Sequence, residues 1–172
     1  MHITVLSTIS WPACIVGMAL CVAAVIFTFM SRRWSALLAY VGLSAIYFWG
    51  DAGLSSMQYY FWGAAALIAW GIGVLLPRPV ADSRHGVGYI AGGALAGSLV
   101  GMLMSIAGMI TGAVIGAFCG AFAYSRTPEG GSMIFPSSKF LHYLCAKGLP
   151  AVVTMCILCM SIATVAGLTI PG

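Results

Sequence analysis

Residues 86–125 read GVGYIAGGALAGSLVGMLMSIAGMITGAVIGAFCGAFAYS, and this stretch decides the fold. It holds ten of the chain's 22 glycines and no charged residue. Two ladders step through it at four-residue intervals. The first is Gly93, Gly97 and Gly101, continued by Ser105; the second is Gly108, Gly112, Gly116 and Gly120. Four-residue spacing places successive residues on one helix face. Glycine at each step strips that face of side chains, so a second backbone can approach closely. In water each glycine weakens a helix by about 1 kcal/mol relative to alanine. Close backbone contact, through dispersion and weak Cα–H···O bonds, is the offset that the pattern implies. A parallel ladder of Ala113, Ala117 and Ala121 widens the flat stripe. The stretch is 40 residues long. As one straight helix it would run about 60 Å, roughly twice the hydrocarbon core of a bilayer. It therefore predicts a helical hairpin, with arms over 86–104 and 107–125 and a turn near Ser105, Ile106 and Ala107, either crossing or re-entrant.

Outside the hairpin the composition points the same way. Of 172 residues, 62% are hydrophobic and 6% are charged, against about 25% charged in an ordinary soluble domain. The apolar runs lack two-residue alternation, so they read as helices and not as barrel strands. Backbone groups in a bilayer must bond within their own segment, which again selects helices. The expected fold is all-α: a polytopic helical membrane protein, one domain over 1–172, of about six segments, with the glycine hairpin as its packing centre. The expected spans are 12–30, 34–49, 57–76, 86–104, 107–125 and 149–168. Pro12 suits a first helical turn. Trp34 and Trp49 bracket the second span as interfacial anchors, and Tyr59, Tyr60 and Trp62 crowd the first turns of the third as an aromatic belt. Gly63 to Ala66 form a small-residue patch for helix contact. Residues 138–147, SKFLHYLCAK, predict a short amphipathic helix at the headgroup surface. Phe140, Leu141, Leu144 and Cys145 would form its apolar face, with Lys139 and Lys147 near anionic lipid. The N-terminus carries no Lys or Arg before the first span, so no cleavable signal is expected.

The seven basic residues set the topology. Arg32 and Arg33 follow the first span, Arg78 and Arg84 precede the hairpin, and Arg126, Lys139 and Lys147 follow it. With an even number of crossings all seven fall on one side, which the positive-inside rule makes cytoplasmic. Both termini are then expected outside. A re-entrant hairpin leaves this assignment unchanged.

No catalytic constellation is legible. The six cysteines lie in or beside apolar runs and read as small buried hydrophobes. Cys156 and Cys159 have redox or metal spacing but no second pair. His2, His85 and His142 read as solvated or interfacial. The glycines match no phosphate-binding loop, and the stretch contains no lysine. No charge is expected inside a span, which argues against ion- or proton-coupled transport. No enzyme activity, cofactor, metal or nucleic-acid partner is expected. The expected partners are membrane lipids and either a second copy of the chain or another membrane protein. The helix-packing residues are Gly93, Gly97, Gly101, Gly108, Gly112, Gly116 and Gly120. The first functional expectation is a structural or accessory protein that packs on helices or lipid through these ladders. The alternative is a small oligomeric transporter or channel for an uncharged or lipid-like substrate.

The linker DSRHGVGYIAGG, the ladder GGALAGSLVG and the run GMITGAVIGAFCGAF carry a likeness. Over about residues 14–168 the chain resembles the bacterial membrane family catalogued as domain of unknown function 456. The resemblance implies the same hairpin-centred layout in a bacterial inner membrane. It implies no activity. Two departures stand out: Ala121 occupies the place of an acidic residue in the family's GAFxGE-like pattern, and SRRWS replaces a Pro-Gly-rich first turn.

Overall fold

The computed structural model describes residues 11–30, 34–49, 54–75, 86–130 and 137–166. Among these the chain is helical and contains no strand. The helices are α1 (Trp11–Phe29), α2 (Ser35–Trp49), α3 (Ser56–Leu75), α4 (Val87–Met102), α5 (Ile106–Ser125), α6 (Ser138–Tyr143) and α7 (Leu149–Val165), with a π-helical turn, Leu144–Gly148, joining α6 to α7. Four helical runs are long and apolar enough to cross a membrane: α1, α3, α5, and the continuous run from α6 through α7. The helices α2 and α4 are apolar but shorter, at 15 and 16 residues. This is a helical membrane protein.

The packing centre is α7, not the glycine hairpin. It touches α1, α2, α3, α4 and α5. Thr154, Met155, Cys156, Ile157, Cys159 and Ser161 are all inaccessible. The residue types explain the position. Small and slender side chains (Ala, Cys, Ser, Thr, Met) let five neighbours approach one axis, and Pro150 sits in the first turn, where its missing N–H costs little. The hairpin instead pairs mainly with itself and leans on α7 along one edge.

The segment 138–147 is not a separate surface helix. It continues through the π turn into α7 as one helical run. Ser137 caps its start by accepting a hydrogen bond from the Phe140 N–H at 3.2 Å. The buried side is Phe140, Tyr143, Ala146 and Lys147, while Leu141 and Cys145 are exposed. The expected apolar face was therefore misassigned. Phe140, Tyr143 and Lys147 share one face at ordinary helical spacing, and that face, not the side bearing Leu141 and Cys145, turns inward. Lys147 is only 5% exposed, so it does not lie on a lipid-facing surface.

The aromatic residues of α3 also turn inward. Tyr59 and Trp62 are buried, while Tyr60 and Phe61 point outward. Tyr59 stacks on Tyr47 at 4.4 Å and on Tyr40 at 5.2 Å, and its hydroxyl lies 3.1 Å from Ser44 Oγ. These rings fasten α3 to α2 instead of forming a belt. The Gly63 backbone lies so close to the Tyr40 hydroxyl that an added Cβ would come within 2.7 Å of it.

Candidate functional site

The two ladders meet each other. In the α4–α5 hairpin, Gly101 faces Gly108, Gly97 faces Gly112, Gly93 faces Gly116, and Gly120 faces Tyr89. A Cβ built on Gly97 would fall on the Gly112 carbonyl, and one on Gly112 would fall on the Gly97 carbonyl. The same mutual overlap relates Gly93 and Gly116. The obstructing atoms are backbone, so no rotamer change relieves them. Steps of four on both antiparallel arms keep the pairs in register along the whole contact.

The hairpin's ends are built locally. Gly86 opens α4 in the left-handed region, at φ 73°, where a side chain would be strained. An added Cβ there would also collide with the Tyr143 hydroxyl and the Tyr124 ring. Tyr124 stacks on Tyr143 at 5.7 Å and tilts against Tyr89 at 5.8 Å, tying both arms to α6. At the other end the turn comes at Leu103 to Ser105, slightly earlier than expected. Ser105 is the N-cap of α5, its Oγ accepting from the Gly108 N–H at 3.0 Å.

The hairpin has two edges. One carries Ala91, Ala94, Ser98, Ala113, Ala117 and Ala121, all buried and facing the α7 side. Thus the alanine ladder, and not the glycines, meets the hub helix. The other edge is an open groove of about 590 Å³ floored by the ladder glycines from Gly93 to Gly120 and walled by Ala96, Val100, Met104, Thr111, Ile115 and Cys119. Its one hydroxyl, on Thr111, is turned back onto the Ala107 and Gly108 carbonyls at 2.9 and 3.1 Å. Apart from the weakly polar Cys119 thiol, the groove consequently offers shape and apolar surface.

Around α7 the buried polar atoms form pairs. Cys21 Sγ lies 3.5 Å from Ser161 Oγ, and Ser98 Oγ lies 3.3 Å from Cys159 Sγ. The Cys156 thiol donates weakly to the Met109 carbonyl at 3.9 Å. Ser35 Oγ and Thr154 Oγ1 are buried without a hydrogen-bond partner. Among the described residues no three His, Cys, Asp or Glu side chains come together as a metal site.

The basic residues divide. Arg126 is exposed, its guanidinium 4.7 Å above the Phe122 ring, and Lys139 is exposed. Arg32, Arg33, Arg78 and Arg84 lie outside the described residues, as do His2 and His85. One close contact was missed in the sequence: Gly17 of α1 against Gly42 of α2. A Cβ on either would lie 2.8 Å from the other's carbonyl oxygen. The signal was the small-residue step Gly17, Cys21 in α1, which the larger ladders overshadowed.

Fold and interface together define a helical membrane protein with a hairpin closed by glycine backbones. Comparison with family models, curated proteins and solved structures returns no match to this chain.

Proposed function

We propose that this chain is a non-catalytic membrane protein that associates with other helices or with lipid through the open edge of the α4–α5 hairpin. One observation supports this above others: the glycine-floored groove runs the length of the hairpin and is lined by apolar atoms. Helix association in a bilayer relies on close van der Waals packing, and small-residue surfaces supply it. A permeation path would call for polar or ionisable lining. The grooves beside α1 and beside the π turn are apolar as well, which favours packing over transport. The proposed setting is a bacterial inner membrane, with the basic residues on the cytoplasmic side and both termini outside.

The test uses Ala96→Leu and Thr111→Leu, which add bulk to the groove walls and leave the glycine pairs untouched. Wild type and variants are purified in mild detergent, and co-purifying lipids and proteins are identified by mass spectrometry. The variants should keep the wild-type helical circular dichroism and lose the associated molecules. Identical co-purifying sets would sink the proposal.

A further inference from the structure

The tip of the hairpin is apolar, bare and recessed. Leu103 is 84% and Met104 75% exposed, although neither neighbours a charge. The opposite end of the same hairpin is built for water: Arg126, Pro128 and Glu129 are all exposed there. Much of the tip's backbone is bonded internally. The N–H groups of Leu103, Met104, Ser105, Gly108 and Met109 bond to Val100, Gly101, Gly101, Ser105 Oγ and Ser105 respectively, at 2.8–3.3 Å. Internal bonding of these donors suits an acyl environment, while the Ile106 and Ala107 N–H groups that open α5 carry no such bond.

The register of the helices places the tip in depth. Ser98 of α4 meets Cys159 of α7, and Cys21 of α1 meets Ser161 of α7. At about 1.5 Å per residue, the tip at Met104 reaches about 6 Å past the level of Ser161, whereas Trp11 of α1 reaches about 15 Å past it. Gly42 of α2 packs against Gly17 and Cys21, and Trp49 continues about 10 Å beyond Gly42. The hairpin therefore stops about 7–9 Å short of the rim formed by α1 and α2. The helix α4, with 16 residues, covers about 24 Å, and α5, with 20 residues, about 30 Å, so the depth of the tip rests on its register against α1 and α2 and not on arm length.

We propose that the α4–α5 hairpin is re-entrant: both arms enter and leave through the membrane face that carries Arg126, and Leu103 and Met104 end among lipid acyl chains instead of in water. The tip is then a lipid contact surface inside the far leaflet, below the level of the rim formed by α1 and α2. The glycine pairing makes this geometry attainable, because two arms in backbone contact form a wedge thin enough to enter from one side. The inference stands independently of what occupies the hairpin groove.

The test is site-directed labelling of the full chain in sealed vesicles. Exposed Cys119 and Cys145 are replaced by alanine, and the four buried cysteines stay in place and give the background. Met104→Cys and Leu103→Cys are compared with Glu129→Cys and Met57→Cys as markers of the two faces. A membrane-impermeant maleimide should label Glu129→Cys from one face. It should leave both tip variants at background from either face until the membrane is dissolved in SDS. A nitroxide at position 104 should collide at least several-fold more with oxygen than with a water-soluble nickel complex. Labelling of either tip variant from the Met57 face, or a nitroxide that favours the nickel complex, would overturn the proposal.

Discussion

The α4–α5 hairpin and the helix α7 solve the same packing problem in opposite ways. In the hairpin the contact is backbone on backbone. Gly93, Gly97 and Gly101 meet Gly116, Gly112 and Gly108 with no side chain between them. Around α7 the contact is side chain on side chain: Met155, Ile157, Cys156, Cys159 and Ser161 fill the spaces among five other helices. The hairpin interface is short-range and intolerant, because its obstructing atoms cannot rotate away. The α7 interface is graded, because each side chain contributes its own volume and its neighbours can relax into part of any gap.

That contrast breaks in a definite order. Gly112→Leu places a branched side chain where the Gly97 carbonyl stands, so the arms must separate. The expected outcome is loss of the folded species on size exclusion in mild detergent. Gly97→Ala adds only a methyl group, yet it lands on the Gly112 carbonyl, and a destabilisation beyond about 3 kcal/mol is expected in detergent unfolding followed by circular dichroism. If Gly97→Ala is as stable as wild type, the hairpin is not closed by backbone contact.

Met155→Ala tests the other region. The residue is fully buried, and the truncation should cost about 2–5 kcal/mol while the helical signal and monodispersity persist. At the small end, Thr154→Val removes a buried hydroxyl that has no partner and should raise stability by about 1 kcal/mol, read as a higher unfolding midpoint. Gly92→Ala is the internal control for the hairpin. No atom lies within 4 Å of an added Cβ there, so the change should be neutral or stabilising by about 0.5 kcal/mol. Equal losses for Gly92→Ala and Gly97→Ala would mean that helix propensity and not inter-arm contact governs the hairpin.

Membrane helices were legible from composition, because a chain with 6% charged residues lacks the polar surface that water requires. A hairpin over 86–125 was legible from length, since 40 residues of straight helix overshoot a bilayer. Partnership was less so. Nothing in a four-residue repeat says whether Gly97 faces the other arm, another helix or another molecule. The ladder of Ala113, Ala117 and Ala121 was visible, but its role as the edge facing α7 was not. Tyr59 and Trp62 matched an interfacial belt by type, and the decision to point them at Tyr40, Tyr47 and the core came from the packing of α3 against α2. Lys147 looked like a lipid anchor, but it shares the face of Phe140 and Tyr143 that packs inward.

By itself, then, the sequence determined the solvent, the helical class and the glycine spacing, because these follow from hydrophobic content and from the 3.6-residue period of one segment. Only the tertiary structure decided that the ladders close on each other, that α7 is the hub, and that Leu103 and Met104 stop short of the rim formed by α1 and α2. Each of these depends on the relative rotation and depth of separate helices. In a bilayer no hydrophobic gradient between helices sets those quantities, and they are chosen by the fit of one surface against another.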